Sequence, residues 1–168
     1  SEEELRIAAC AFESQQGMVI TDAQRIILRV NRAFTQITGY SAEEAIGQNP
    51  RMLSSGRHDS LFYATMAQAL QSDGAWSGEI WNRRKNGEVY PEWLTISAVK
   101  NSGAQVTHFV AIFTDVSEQV SAQAQIATLA FYDPLTQLPN RRLLLDRLEQ
   151  SLHASTRHTR QNALLFVD

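Results

Sequence analysis

The sequence predicts an α+β fold: a five-stranded antiparallel sheet with short helices on one face, flanked by an N-terminal helix and a C-terminal linker helix. Three observations lead there. Two strand-like runs are followed by several short helical segments, each with its own capping residue. Three longer strand-like runs come next, joined by turns rich in Asn and Gly, as antiparallel neighbours require. An Ala- and Gln-rich helical stretch then starts directly after the last strand.

Residues 3–16 read as a helix with Leu5, Ala8 (or Ala9) and Phe12 on one stripe and Gly17 as its stop. Strands at 18–21 and 26–30 form a hairpin around Asp22-Ala23-Gln24-Arg25. Asn31 caps a short helix that carries Phe34 and Ile37 and ends at Gly39. Ser41-Ala-Glu-Glu44 is a capping box, opening a second short helix that Gly47 ends. Residues 49–55 read as irregular or as a single turn. Asp59 or Ser60 caps a longer helix, with Leu61, Phe62, Met66, Ala69 and Leu70 as its buried stripe and Gly74 as its stop.

The three strands are 76–84, 89–99 and 106–115. Lys85-Asn86-Gly87-Glu88 predicts a tight turn with positive φ at both central residues, and Asn101-Ser102-Gly103 predicts the next turn. A helix over 117–129 is broken by Asp133-Pro134. Another begins near Pro139, which suits a first helical position, with Leu143, Leu144, Leu148 and Leu152 on its apolar face. A polar loop over 153–162 and a strand over 163–167 complete the reading.

The 168 residues suit one domain with flanking elements, and 43% are hydrophobic, enough for a buried core. A net charge of -3 with no long basic run argues against nucleic acid as a direct partner. The apolar runs are strand-length, too short for a membrane span, and Ser1-Glu2-Glu3-Glu4 lacks the basic and apolar regions of a signal peptide. Cys10, alone, excludes an internal disulfide and a multi-cysteine metal site, and fits a reducing cytoplasm.

Two segments carry a family resemblance. Gly17-Met-Val-Ile-Thr-Asp22, Val30-Asn-Arg-Ala-Phe34, Thr38-Gly-Tyr-Ser41, Ile46-Gly-Gln-Asn49 and the run from Trp76 through Asn82-Arg-Arg-Lys-Asn-Gly-Glu88 resemble, in order and spacing, the PAS family of bacterial sensory domains. Asp115-Val-Ser-Glu118 resembles the Asp-x-Thr motif that ends such domains before an output module, with Ser117 in place of Thr. Asp133-Pro-Leu-Thr-Gln-Leu-Pro-Asn-Arg-Arg142 resembles the start of a GGDEF (diguanylate cyclase) domain, with Gln137 where that family usually has Gly. The resemblance implies a flanking helix over 1–16, a sensory domain over 17–116, a helical linker over 117–132 and the start of the GGDEF domain over 133–168. It implies a sensory, dimerising module in cyclic-di-GMP signalling.

Leu164-Leu-Phe-Val-Asp168 resembles the GGDEF core strand whose final carboxylate, here Asp168, holds metal; the family's signature and guanine-binding residues fall beyond residue 168. Mg²⁺ and GTP therefore belong to a complete domain, since one carboxylate does not make a metal-assisted phosphoryl-transfer site. This chain is expected to be catalytically silent.

Flavin-binding PAS relatives resemble this sequence at 49–56 and 76–85, which implies Asn49 and Asn82 as cofactor contacts, with Glu92 where light sensors carry Asn. Ala67 stands where a Trp is frequent, and Pro50 where light sensors place their reactive Cys, so no cysteinyl–flavin adduct is expected. FAD, another small ligand and no ligand at all stay open at this point. Haem needs an axial ligand such as His; His58 reads as an exposed residue at the start of a helix and His108 as a surface strand residue. Trp76, Trp81 and Trp93 read as core or interface, and Arg83-Arg84-Lys85 as a solvated turn.

Asp115, Ser117, Glu118 and Asp133 are the expected signal-relay residues. Val120, Ala124, Ala127 and Phe131 follow the spacing of a coiled-coil seam, and with Leu5, Ala8 and Phe12 they predict a parallel homodimer.

Overall fold

The computed structural model describes residues 2–158 and 163–165. The chain divides into two compact units, Ser1–Glu118 and Gln119–Asp168. In the first, α1 (Glu2–Phe12) precedes the hairpin β1 (Gly17–Asp22) and β2 (Ile27–Val30). Helices α2 (Arg32–Thr38) and α3 (Ala42–Ala45), a 3₁₀ turn at Pro50–Leu53 and α4 (Ser60–Ser72) follow, then β3 (Ala75–Arg83), β4 (Val89–Lys100) and β5 (Val106–Asp115). The five strands form one antiparallel sheet in the order β2-β1-β5-β4-β3.

Caps delimit the short helices. Asn31, Ser41, Asn49 and Asp59 each accept a hydrogen bond from a backbone N–H of the first turn they precede, and Ser41 with Glu44 completes a capping box. Asn31 does more. Its buried amide oxygen also accepts from Met18 N at 2.9 Å, and its Nδ2 donates to the carbonyls of Phe12 and Gln16 at 2.8 Å each. The bond to Phe12 O satisfies the last carbonyl of α1, which ends at Phe12 instead of running to residue 16. The apolar core gathers Val19, Ile27, Phe34, Leu53, Ile80, Leu94 and Phe113, with Phe34 edge-on to Phe113 at 6.1 Å.

Several expectations are corrected. The β3–β4 connection is not a two-residue turn: Gly87 N donates to Arg84 O, and Gly87 alone has positive φ, at 93°. It is a longer turn closed by a glycine in the left-handed region, with Asn86 Oδ1 accepting from Glu88 N. The β4–β5 turn has the same pattern, but its left-handed position is Ala104 (φ 60°), one residue after Gly103. Leu61 is 71% exposed; α4 buries Leu70 and half-buries Phe62, Tyr63, Met66 and Ala67.

Helix α5 (Ser117–Phe131) follows β5, and α6 (Arg141–His158) lies in the second unit. Asn140 caps the start of α6, one residue after Pro139: its Oδ1 accepts from Leu143 N, while its own N and Nδ2 donate to Phe131 O and Ala130 O. Residues 153–158 are helical where a loop was expected, because α6 continues through them. Of the strand expected at 163–167, residues 163–165 have no regular structure and the rest lie outside the described residues, as does Asp168. Among the described residues, no helix is long and apolar enough to cross a membrane.

Candidate functional site

Between the inner face of the sheet and the helices lies a cavity of about 620 Å³. Alternation along the strands aims Ile80 and Asn82 of β3, Glu92, Leu94 and Ile96 of β4, and Phe109, Ala111 and Phe113 of β5 into it. Tyr63, Met66, Ala67 and Leu70 of α4 line the opposite side, and Asn49, Pro50, Arg51 and Ser54 complete the wall with Arg25. Its size and mostly apolar lining suit a small organic ligand.

The three expected cofactor contacts, Asn49, Asn82 and Glu92, all line the cavity. Asn49 also caps the 3₁₀ turn through Arg51 N at 3.0 Å. Asn82 does not serve the strand edge with its side chain: Nδ2 donates to Glu92 Oε1 at 2.9 Å. The Tyr90 hydroxyl donates to Glu92 Oε2 at 2.6 Å. Glu92 is 2% exposed. Burial pushes its carboxyl up to about 7, against the pull of the Tyr90 and Asn82 hydrogen bonds. Burial and the neighbouring Glu92 push the Tyr90 phenol far above its ordinary range, so it stays a donor.

Pro50 starts the 3₁₀ turn and sits in the cavity wall; Cys10 is exposed on α1 and takes no part in the lining. The tryptophans stay out of the lining as well. Trp76 packs edge-on to Phe62 at 5.8 Å, Trp81 lies beneath the Arg57 guanidinium at 3.8 Å, and Trp93 is half exposed.

His58 is not the exposed residue that its polar neighbours suggest. Its Nε2 accepts from Trp81 N at 2.8 Å, and its ring stacks on Phe62 at 4.0 Å. Burial, then Arg57, lowers its pKa, so the neutral ring that can accept is favoured. The same segment is pinned to β3 by Ser55 Oγ donating to Trp81 O and by Arg83 donating to Ser55 O.

Arg84 is the largest departure from expectation, since the turn it sits in is not simply solvated. Its guanidinium is stacked 3.8 Å from the Tyr90 ring centroid and donates to Ile37 O, Glu88 and Asp115. Asp115 Oδ1 in turn accepts from Ser117 N at 2.9 Å and Ser117 Oγ at 2.6 Å. Partial burial would raise the Asp115 carboxyl, but the Ser117 and Arg84 hydrogen bonds outweigh it and hold it below the usual range. Arg84 and Tyr90 were missed in the sequence. The available signal was Tyr90 at i-2 from Glu92, on the same face of one strand.

The remaining expected residues lie elsewhere. Glu118 is exposed in the first turn of α5. Asp133 Oδ1 accepts from Leu135 N, Thr136 N and Thr136 Oγ1, closing the turn before α6. Gln137, the departure from the usual Gly, has φ 60°. Leu5, Ala8, Ala124 and Ala127 are exposed, while Val120 and Phe131 are half-buried. Phe12 is half-buried too, beneath the Arg29 guanidinium at 4.6 Å.

Comparison with known proteins agrees with this geometry. The PAS domain family matches residues 15–118, and the diguanylate cyclase GGDEF domain family matches residues 130–168. A nitrogen fixation regulatory protein of Klebsiella oxytoca is 32% identical over 114 residues, 68% of this chain and 23% of that protein. A blue-light-activated histidine kinase of Rhizobium johnstonii is 32% identical over 116 residues, 67% of this chain and 34% of the kinase. The PAS domain of a Colwellia psychrerythraea protein superposes with a TM-score of 0.65 at 27% identity, covering 68% of this chain and 98% of that structure. The chain thus spans less than a quarter of the first of these relatives' length.

Proposed function

This chain belongs to the PAS domain family and continues into the start of a GGDEF domain, and we propose that it is a sensory module that dimerises and passes the state of its cavity to a GGDEF output in cyclic-di-GMP signalling. The observation that carries this reading is a pairing in the sheet. Glu92, in the cavity wall, is the ladder partner of Asp115, which caps the start of the linker helix. In this reading residues 17–116 sense, 117–132 link, and output begins at 133, in a cytoplasmic protein. A complete GGDEF domain would take GTP and Mg²⁺, with Asp168 among the metal carboxylates, and this chain alone would be silent.

A diguanylate cyclase brings two GTP-loaded half-sites together, so its input should control a dimer. Leu5 and Ala8 on α1 and Ala124 and Ala127 on α5 offer exposed small and apolar surface for a parallel pair. Sedimentation at high micromolar concentration tests it; a monomer there would refute dimerisation.

The sensory reading is tested by joining the chain to a complete GGDEF domain and measuring cyclic-di-GMP formed from GTP and Mg²⁺. Ala111→Phe fills the cavity from β5 and should change turnover several-fold. A folded variant with unchanged turnover would refute the cavity's role.

A second reading, a flavin-binding redox sensor, is favoured by the polar end of the cavity. The edge of a flavin ring alternates carbonyl acceptors with an N–H donor. Asn82 can donate to the former and Glu92 accept from the latter. FAD would supply electron-transfer chemistry; the chain's own residues would hold and orient it. The test is the visible absorption of the purified chain, with Asn82→Ala expected to weaken retention by about 1–3 kcal/mol.

A further inference from the structure

Glu92 and Asp115 are neighbours across the β4–β5 ladder, but their side chains communicate by a longer route. The Tyr90 hydroxyl donates to Glu92, and the Tyr90 ring lies against the Arg84 guanidinium. Arg84 donates to Asp115, and Asp115 accepts from the backbone and hydroxyl of Ser117 at the start of α5. The side chains of Glu92, Tyr90, Arg84, Asp115 and Ser117 therefore make one unbroken line from cavity wall to linker helix.

Each link responds to the one before it. A phenol that donates to a carboxylate has an electron-richer ring, which holds a guanidinium more firmly. If the carboxylate is taken by a ligand's N–H or cation, or neutralised, the phenol loses its strongest acceptor. Its grip on Arg84 weakens, and Arg84 is free to shift between Asp115, Glu88 and Ile37 O, all of which it already touches. The groups facing Glu92 are Asn82 from β3, Tyr90 from its own strand, Asp115 from β5 and Arg84 from the turn, with Arg25 and Arg51 in the same cavity lining.

We propose that Tyr90 and Arg84 are positioning residues that carry the state of Glu92 to Asp115, and so set how firmly the first turn of α5 is held. The identity of the signal rests on the sensory reading above; the coupling itself does not, and is measured without ligand.

The experiment is native-state amide hydrogen exchange of the whole chain at pH 8, read at the Ser117 amide. Glu92→Gln, which keeps the shape, should speed that exchange by roughly 3- to 10-fold, the size expected of coupling through packed side chains. In a Tyr90→Phe background the same substitution should add nothing. Arg84→Lys, which keeps the charge but loses the planar fork, should break the line equally and serves as the second test if Tyr90→Phe folds poorly. Unchanged Ser117 exchange in folded Glu92→Gln would overturn the proposal. So would a Glu92→Gln effect that persists in both backgrounds, because the coupling would then run along the β4–β5 backbone. Absence of any ligand from the purified protein would count against the sensory reading and leave this result standing.

Discussion

Replacing Glu92 by glutamine removes a charge and keeps the shape of the side chain. The Glu92 carboxyl moves from an ordinary 4.5 in the unfolded chain to about 7 in the fold, chiefly through burial. The folded state therefore holds the proton more tightly. The contribution of Glu92 is whole below pH 4.5, declines as pH rises toward 7, and stands about 3 kcal/mol lower above it, at 1.36 kcal/mol per pH unit. Glutamine cannot ionise and removes that decline. It also sets an amide donor against Asn82 Nδ2 or the Tyr90 hydroxyl, at a cost of about 1 kcal/mol. The variant should thus be less stable than the parent by about 1 kcal/mol at pH 4.5 and more stable by about 2 kcal/mol at pH 8. Urea unfolding followed by tryptophan fluorescence measures this cleanly, since Trp76, Trp81 and Trp93 all belong to the first compact unit. Stability curves that run parallel from pH 4.5 to 8 would refute the assignment of Glu92 as a buried carboxyl held near neutrality.

His58 should give the opposite slope: its folded pKa is lowered, so its contribution is present above pH 6.5 and lost as pH falls below it. In the parent this loss offsets part of the gain from Glu92, so His58→Gln should steepen the rise in stability as pH falls below 6.5 in the same fluorescence assay. Ala104→Gly and Gln137→Gly place the permissive residue where φ is already 60°, and each should stabilise its own unit by about 1 kcal/mol. Tryptophan fluorescence reads the first; far-UV circular dichroism, which includes α5 and α6, reads the second. Gly17→Ala would bring a Cβ within 2.2 Å of the Phe113 ring, and should cost about 1–3 kcal/mol in urea unfolding.

The elements most legible in the sequence are those fixed by chemistry within a few residues. Caps at Asn31, Ser41, Asn49 and Asp59 depend on a side chain reaching a backbone N–H two or three residues on, and each one forms. The antiparallel pairing of β1 with β2, and of β3, β4 and β5 in turn, also followed from local signals, because short turns join them; the pairing of β1 with β5 joins strands far apart in the chain and had no such signal. Turn geometry was less legible. Asn-Gly at 86–87 is compatible with a two-residue turn, but the register Arg83↔Val89 leaves a longer connection and only Gly87 takes the left-handed region. The end of α1 was hidden for a related reason: the carbonyl of its last residue, Phe12, is satisfied by Asn31, far along the chain.

The site divides along the same line. Asn82 and Glu92 were placed at the cavity by resemblance to flavin-binding relatives, which assigns a position but not the partners found there. What Asn82 does there depends on Glu92, ten residues away on the partner strand, so it binds a carboxylate rather than backbone. Arg84 reads as solvated in a run of three basic residues. Its partners are Ile37, Tyr90 and Asp115, brought together by three different elements, and no window of the sequence contains them all. The same physics sets this arginine apart from its neighbours Arg83 and Lys85. A surface ion pair contributes little, but a half-buried guanidinium held by a carboxylate, a carbonyl and a ring has few places to go. A group with a few defined partners moves between discrete states, and that property is what a module joining a cavity to a helix requires.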